Sequence, residues 1–310
     1  MNQFKPEGML ITSAKNYELT RSYEGLRYAM EKRLTIEAAA VMCDHELNLI
    51  VELCPEIKAI IPKNESVYNP SESVKDIAIL TRVGKPVCFK VIGFSIDTAG
   101  KKTAILSRRA AQKECFENYI ATLVPGDIIP SRITHIENFG AFVDIGCGIT
   151  SLLSIDTISI SRISHPSTRI NVGDFIYTVV KGRDELDRIF VSERELLGTW
   201  EENAALFKVG ETVTGIIRSV ENYGVFVELK PNLAGLAEYR DDVLPGQHAA
   251  VYIKSILPEK MKIKLIIIDT SANDKKQEAL KYFINVNSVT HIDYWRYSPM
   301  NCQRIIETQF

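Results

Sequence analysis

The sequence predicts an all-β protein made of three small closed barrels, each of five short antiparallel strands, with helical connectors and helical ends. An internal repeat is the first observation behind this prediction. IENFGAFVDI begins at Ile136, and VENYGVFVEL begins 84 positions later at Val220. The second observation is a series of short β-branched and aromatic runs between glycine-bounded turns. The third is the length of 310 residues, which exceeds what one hydrophobic core usually supports.

The central copy, repeat two (124–198), shows the five-strand pattern most clearly. Its strand-like runs are PGDIIPSRITHI, FGAFVDI, ITSLLSI, DFIYTVVKG and RIFVSERE. A polar stretch from Asp156 to Asp174 separates the third run from the fourth. Five strands of this length, joined by glycine-bounded turns, are typical of a closed barrel of the OB kind.

Two further copies flank repeat two. Repeat three (208–269) has the same five runs, but the alignment offset falls from 84 to 73 before its fourth strand, so part of the polar stretch is missing there. Repeat one (34–109) is a weaker copy at an offset of 92, with Leu47 and Ile50 at the positions of the two aromatics. We therefore expect a barrel in repeat one that has no stacking surface.

Helices are predicted outside the barrels. Asn16 is the predicted N-cap of a helix from Tyr17 to Lys32, within an N-terminal segment of residues 1–33. Residues 110–123 and 199–207 place apolar residues near helical spacing and are predicted to be connecting helices. The C-terminal tail, residues 270–310, is predicted to contain a helix Asp274–Phe283, a strand Val289–Tyr297 and a helix Met300–Thr308.

Composition narrows the class of protein. Hydrophobic content of 45% and charged content of 25% are ordinary for a soluble globular protein. No apolar run is long enough to span a bilayer, and residues 1–33 contain no signal-peptide core, so a cytoplasmic protein without membrane contact is predicted. Six scattered cysteines form no Cys-x-x-Cys pair and are predicted to be reduced thiols. The net charge of -2 confines any nucleic-acid binding to a local surface.

No catalytic site, metal site or cofactor is predicted, so we do not expect an enzyme. Cys147 stands between two glycines as in a nucleophile loop, but no histidine pairs with it legibly, and a strand-joining turn explains the pattern better. Asp184, Glu185 and Asp187 are typical of a hairpin turn rather than of a metal site. The sequence has no glycine-rich phosphate loop.

Two phenylalanines around Gly140 are the strongest candidates for a binding surface. Positions i and i+3 of a strand point to opposite faces, and Gly140 permits a bulge that brings Phe139 and Phe142 to one surface. Exposed rings of this kind stack on unpaired bases. Arg188 suits contact with phosphate or base, and Asp184 is placed to hold its guanidinium. The alternative is that both rings fill the core and that the charged pair contributes little.

Repeat two resembles the S1 RNA-binding domain family. The resemblance rests on Gly126-Asp127, Asn138-Phe139-Gly140-Ala141-Phe142-Val143-Asp144, Val172-Gly173-Asp174, and Asp184 with Arg188. It implies single-stranded RNA binding by two aromatics, a histidine, an aspartate and an arginine. Those roles fall on Phe139, Phe142, Asp184 and Arg188, whereas Ser154 occupies the histidine position. Arg132 and Lys181 are predicted to add positive charge near the RNA.

Repeat three keeps an aromatic pair, Tyr223 and Phe226, with Lys254, Lys262 and Lys264 as positive charge. Glu238 at its histidine position would repel phosphate, so auxiliary RNA binding and a purely structural barrel both remain open. Repeat one is either an interaction module or a spacer. The tail aromatics Tyr294, Trp295 and Tyr297 either form a second stacking platform or pack against a barrel.

The predicted function is non-catalytic binding of single-stranded RNA, with repeat two as the main site. The resemblance implies a role in translation, with messenger RNA as partner and the small ribosomal subunit as a further one. The alternative is a protein-interaction adaptor, or a regulator of transcription or RNA decay, that uses the barrels to bind proteins. The sequence does not specify an oligomeric state.

Overall fold

The computed structural model describes residues 4–54, 57–68, 75–96, 102–271 and 280–310. The three predicted five-stranded barrels are confirmed, and each is closed. The strands of barrel one are β1 Ile36–Cys43, β2 Leu49–Val51, β3 Lys58–Ile61, β4 Lys85–Ile96 and β5 Lys102–Ser107. Those of barrel two are β6 Ile128–Glu137, β7 Gly140–Asp144, β8 Thr150–Ser154, β9 Phe175–Arg183 and β10 Ile189–Ser192. Those of barrel three are β11 Thr212–Glu221, β12 Gly224–Lys230, β13 Leu233–Ala237, β14 His248–Leu257 and β15 Lys262–Ser271.

Strand pairing in each barrel is antiparallel except between one pair of strands. The spatial orders are β1-β2-β3-β5-β4, β10-β8-β7-β6-β9 and β11-β12-β13-β15-β14. The third and fifth strands of each barrel pair in parallel, as β3 with β5, β8 with β10 and β13 with β15. The fourth strand pairs antiparallel with the fifth and is not a neighbour of the third. The fifth strand therefore runs in the same direction as the third. This pairing puts the second, third and fifth strands side by side.

The barrel interiors are filled by β-branched and leucine side chains. Ile133, Val143 and Leu153 are fully buried in barrel two, and Val227 and Ile253 are fully buried in barrel three. Each such side chain stabilises the fold by about 1.5–3 kcal/mol relative to exposure. Since the alternate positions of these strands face outward, the outer surface is free to vary from barrel to barrel.

Contacts divide the chain into two compact units. The first comprises Met1–Leu123, Pro130–Arg132 and Asp144–Thr150. The second comprises Val124–Ile129, Ile133–Val143 and Ser151–Phe310. Barrel three, the tail and most of barrel two therefore belong to one unit.

The N-terminal helix differs from the prediction. Two helices form, α1 Ala14–Thr20 and α2 Tyr23–Glu31, with Ser13 and Ser22 as their N-caps. Asn16 is therefore not a cap but lies inside α1. Its side-chain amide bonds both the N–H and the C=O of Glu37, each at 2.8 Å. The side chain thus serves a tertiary contact, which local sequence signals do not encode.

The remaining helices are short. They are α3 Asp76–Leu80, α4 Arg108–Asn118, α5 Ile155–Ile158 and α6 Trp200–Ala204. The predicted connecting helices correspond to α4 and α6. Thr199 begins α6 with a capping box, in which its hydroxyl accepts from the N–H of Glu202 while the Glu202 carboxylate accepts from the N–H of Thr199.

The described part of the C-terminal tail differs from the prediction. Residues 274–279 of the first predicted helix lie outside the described residues, and 280–283 are not helical. The predicted strand shortens to β16 Tyr294–Arg296, and the predicted final helix is wrong, because β17 Glu307–Gln309 pairs antiparallel with β16. Trp295 and Tyr297 are buried in the core of barrel three. This burial holds the tail extended, since tertiary packing overrides helix propensity.

Candidate RNA-binding face of repeat two

The hairpin between β6 and β7 displays the two predicted aromatics. Asn138 and Phe139 form its turn, and Gly140 begins β7. Phe139 is 54% exposed, whereas Ala141 and Val143, on either side of the half-buried Phe142, are fully buried. The ring centroids of Phe139 and Phe142 lie 6.1 Å apart with their planes at 87°. Both rings are therefore on the outer surface, and the alternative that they fill the core does not hold.

Gly140 is required by a close approach of two backbones. A Cβ at this position would lie 2.3 Å from the carbonyl oxygen of Leu153 in β8. A Cβ at Gly224 of repeat three would lie 2.4 Å from the carbonyl oxygen of Ala237. The two rings share a surface because Phe139 lies in the turn, outside the strand alternation, and not because of a bulge at Gly140. The glycine instead lets β7 start against β8.

The strand order places most of the remaining candidate RNA-binding residues on neighbouring strands. β7, β8 and β10 are neighbours, and they carry Phe142, Ser154 and Phe190. Phe190 pairs with Leu152 in the parallel ladder of β10 and β8. It is half-buried between the buried Ile189 and Val191, so its side chain faces outward. Sequence reasoning did not assign Phe190 to the surface, although the alternation of apolar residues around it carries that signal.

Asp184 organises the loop before β10. Its carboxylate accepts hydrogen bonds from the backbone N–H groups of Leu186 and Arg188, at 3.0 and 2.8 Å. It also accepts from Nε of Arg188 at 2.7 Å. The hydrogen bond from the Arg188 side chain is the main cause of a lowered pKa of Asp184. The hydrogen bond to Asp184 orients the guanidinium of Arg188. Because the Arg188 side chain stays 69% exposed, the guanidinium remains accessible to a phosphate.

The other two cations predicted for repeat two lie elsewhere. Nη1 of Arg132 donates to the backbone oxygen of Glu7 at 2.8 Å, which turns this guanidinium toward the N-terminal segment. Lys181 is exposed on β9, on the far side of β10 from β8. The structure therefore brings Arg188 to the three-strand group but does not bring Arg132 or Lys181 to it.

Sequence reasoning also missed a histidine. His135 of β6 lies beside Phe142, with ring centroids 6.4 Å apart and planes within 19° of parallel. Its Nε2 is 2.7 Å from Oε1 of Glu137. The neighbouring Thr134 hydroxyl donates to the backbone oxygen of Phe142 at 3.0 Å. No motif singles out His135, because its relation to Phe142 depends on the pairing of β6 with β7.

Repeat three presents a similar aromatic pair. Tyr223 is 69% exposed, and its ring lies 6.0 Å from that of Phe226 with the planes at 87°. Phe226 pairs with Leu236, and Leu236 pairs with Lys264, so a lysine stands where repeat two has Phe190. Lys254, Lys262 and Glu238 are exposed. Aromatic and basic side chains therefore share this surface with the acid Glu238.

Repeat one has aliphatic residues at the same places. Leu47 lies in the turn before β2 with a φ of 65°, and its side chain packs against the core of barrel one. Ile50 pairs with Ile60, and Ile60 pairs with Ile105, across β2, β3 and β5. These three half-buried isoleucines form an aliphatic row without a π-face.

Metal-binding clusters and membrane-spanning helices are both absent from the described ranges. No group of three or more His, Cys, Asp or Glu side chains there is placed to hold a metal ion. Among the helices of the same ranges, none combines the length and apolarity needed to cross a membrane.

Closed five-stranded barrels with paired, solvent-facing aromatic rings define a class of modules that bind unpaired nucleic acid. Residues 123–194, which include all five strands of barrel two, match the family model described as the S1 RNA binding domain. Barrel two thus carries the match to the S1 RNA binding domain. The resemblance inferred from its motifs is confirmed.

Similarity to curated proteins extends beyond this domain. The small ribosomal subunit protein bS1 of Staphylococcus saprophyticus is 26% identical over 289 residues, covering 88% of this chain and 70% of the relative. The protein of the same name from Staphylococcus aureus is 26% identical over 291 residues, covering 88% and 71%. That of Rhizobium meliloti is 28% identical over 187 residues, covering 56% and 32%.

Two solved structures also show similarity. A multidomain protein with nucleic acid binding domains from Streptococcus pneumoniae is 16% identical, covering 76% of this chain and 73% of that chain, with a TM-score of 0.25. GSP13 from Bacillus subtilis is 23% identical, covering 24% of this chain and 57% of that chain, with a TM-score of 0.23.

Proposed function

We propose that this chain is a non-catalytic, single-stranded RNA-binding protein that acts in translation and is related to bS1. The observation that carries the proposal is the exposed ring pair of Phe139 and Phe142, within the residues that match the S1 RNA binding domain. Unpaired bases stack on these rings, and each stacked base contributes about 1–3 kcal/mol of binding free energy. Arg188, oriented by Asp184, contacts a phosphate or a base beside them.

The relatives support the proposed partners. The similar curated proteins are named as components of the small ribosomal subunit, and their similarity covers 88% of this chain in the two staphylococcal cases. We infer that the RNA is messenger RNA, and that binding occurs on or near the small subunit in the cytoplasm. Repeat three assists through Tyr223, Phe226, Lys254 and Lys262.

Fluorescence titration of the full chain with a labelled, unstructured oligoribonucleotide tests the RNA face. Phe139→Ala and Phe142→Ala should each weaken binding by about 1–3 kcal/mol without changing the unfolding temperature. Phe175→Ala is the matched control, because Phe175 is similarly exposed but lies on β9. If both test variants bind as tightly as wild type, the RNA face is not on repeat two.

Protein binding by repeat one is a second candidate function, favoured by its aliphatic row. The row consists of Ile50 on β2, Ile60 on β3 and Ile105 on β5, which lie in register. The exposed Met42 of β1 pairs with Ile50. Co-sedimentation with purified small ribosomal subunits should be lost in an Ile50→Ser/Ile60→Ser variant but kept in Phe142→Ala. Equal co-sedimentation of wild type and the isoleucine variant would contradict anchoring through this row.

A further inference from the structure

Phe190 adds a third aromatic ring to the outer surface of barrel two. It is half-buried and pairs with Leu152 in the parallel ladder of β8 and β10. In barrel three Phe226 pairs with Leu236, so by the 84-residue offset Phe142 lies opposite Leu152. Directly paired residues share one face of a sheet. Phe142, Leu152 and Phe190 therefore form one row across β7, β8 and β10.

The spacing of this row suits two separate bases. Neighbouring strands lie about 4.7–4.9 Å apart, so two strand spacings separate the backbones of Phe142 and Phe190 by about 9.5 Å. Two rings that contact opposite faces of one base are only about 7–8 Å apart. A base that stacks on Phe190 is therefore a different base from the one on Phe142.

The side of Phe190 away from Leu152 is open. Its partner on β9 is Gly182, which carries no side chain. Apart from the chain neighbours of Gly182, no heavy atom would lie within 4 Å of a Cβ at this position. No residue from another part of the described chain therefore fills the space beside the ring, and a base has room to approach it from this side.

Arg188 supplies a cation on the same surface. The carbonyl oxygen of Arg188 accepts from the N–H of Asp184 at 3.1 Å, and Ile189 pairs with Arg183, so the chain is already extended at residue 188. Residues i and i+2 of a strand share a face and lie about 6.5 Å apart. The exposed guanidinium of Arg188 thus stands beside Phe190, within reach of the phosphate of a nucleotide whose base stacks on the ring.

The barrel itself does not require an aromatic ring at this position. Ile105 occupies the matching position of barrel one, and Lys264 occupies that of barrel three. Both of these barrels are closed. The phenyl ring of Phe190 therefore adds an aromatic face that closure of the barrel does not need.

We propose that Phe190 is a base-binding residue of repeat two, which stacks a further unpaired base beside those on Phe139 and Phe142. The inference rests on the proposed RNA-binding function, and it gives the RNA a path from β7 across β8 to β10. Neither Ile105 nor Lys264 offers a ring, so this subsite distinguishes repeat two from the other two repeats.

Substitutions that keep or remove the ring test the proposal. In the full chain, Phe190→Ile should lower the affinity for an oligouridylate of about 16 nucleotides roughly five- to tenfold, within the range expected for one stacked base. Its urea midpoint should match that of wild type, because barrel one carries an isoleucine at this position. Phe190→Tyr keeps the ring and should bind within about twofold of wild type. Phe175→Ile makes the same change at an exposed phenylalanine of β9 and should bind like wild type.

Two further measurements distinguish a base contact from an indirect effect. Photo-crosslinking of wild type to an oligouridylate that carries 5-iodouridine should give a crosslinked peptide that contains Phe190, and the crosslink should be lost in Phe190→Ile. The fold-losses of affinity in Phe142→Ala and Phe190→Ile should multiply in the double variant, because separate subsites contribute additively to the binding free energy.

Wild-type affinity of Phe190→Ile, together with a loss in Phe142→Ala, would overturn the subsite and leave the RNA face standing. Equal losses in Phe190→Tyr and Phe190→Ile would show that the ring is not what binds, which also overturns the proposal. If Phe190→Ile lowers the urea midpoint, the crosslink decides, and its absence from the peptide that contains Phe190 in wild type would sink the idea. Wild-type binding by both Phe139→Ala and Phe142→Ala would instead contradict the proposed function.

Discussion

Single residues determine how the face of repeat two is displayed. Phe139 is exposed because the hairpin turn removes it from the strand alternation, and Phe142 faces outward between buried Ala141 and Val143. Gly140 makes both placements possible by letting β7 meet the backbone of β8. The face thus depends on a backbone approach as much as on its aromatic side chains.

Gly140→Ala should destabilise barrel two by more than about 1 kcal/mol, because the new Cβ would meet the carbonyl oxygen of Leu153 and neither backbone can move freely. Differential scanning calorimetry of the full chain measures this change. Gly93→Ala is the control, since a Cβ at Gly93 has nothing within 4 Å. An unchanged calorimetric profile for Gly140→Ala would show that β7 and β8 can move apart without a loss of stability.

Glu193 makes stability depend on pH. It is fully buried, and one oxygen accepts from the Tyr282 hydroxyl at 3.0 Å. Burial raises its pKa to about 8, while Tyr282 and Arg169 lower it and Asp174 raises it. Because this folded-state pKa lies above that of the unfolded chain, the stability contribution is complete below about pH 4.5 and is lost as pH rises through 8.

The unfolding midpoint of wild type should therefore fall relative to that of Glu193→Gln between pH 5 and pH 9. Tryptophan fluorescence measures it, because both tryptophans, Trp200 and Trp295, lie in the core of barrel three in the same unit. Glu201→Gln, at an exposed acid, should follow wild type at every pH. A constant difference between wild type and Glu193→Gln across this range would contradict a raised pKa.

At the scale of elements, the polar stretch between β8 and β9 connects barrel two to barrel three. Arg169 of this stretch forms two hydrogen bonds to Glu228 of β12, each at 2.7 Å, and Arg218 of β11 forms two more at 2.9 Å. Nearby, the N–H of Ile160 donates to the Asn232 side chain at 2.9 Å.

Glu228→Gln should destabilise barrel three by about 3–5 kcal/mol, because it leaves two buried guanidinium groups without a compensating charge. The fluorescence of Trp200 and Trp295 during urea unfolding measures the loss. Asp242→Asn removes an exposed carboxylate that pairs with Arg240 and should leave the urea midpoint unchanged. Equal urea midpoints for both variants would mean that the cluster of Arg169, Arg218 and Glu228 does not hold barrels two and three together.

At the scale of the molecule, one barrel plan carries three different outer faces. The face of barrel one is aliphatic, with Ile50, Ile60 and Ile105 in register. The face of barrel two is aromatic, and that of barrel three is aromatic with Lys264 in the row. Because the interiors and the closure of the three barrels are alike, these differences between the repeats lie at outward-facing positions.

Salt should weaken RNA binding only moderately. The cations proposed to contact the RNA are Arg188, Lys254 and Lys262, so about three neutralised phosphates correspond to a slope of log K against log salt of roughly -2. Arg188→Gln should make the slope shallower by about 0.7, whereas Lys113→Gln on α4 should not change it. A slope near zero in wild type would argue against RNA and for a protein partner.

Local signals in the sequence are enough to predict the barrels and the main candidate residues of the face. The FGAF and YGVF hairpins, the glycine-bounded turns and the alternation of apolar residues are local signals, and they predicted three barrels and the aromatic pairs. The Asp184–Arg188 loop was predictable for the same reason, because its hydrogen bonds join residues four apart.

Only the tertiary structure decided which side chains meet across strands and which segments stay extended. His135 reaches Phe142 through the pairing of β6 with β7, and Arg132 is drawn to the backbone of Glu7. The sequence predicted a helix over Met300–Thr308, but Trp295 and Tyr297 are buried against barrel three and Glu307–Gln309 pairs with β16 instead. Contacts between residues distant in sequence have no local signature, so these features follow from packing alone.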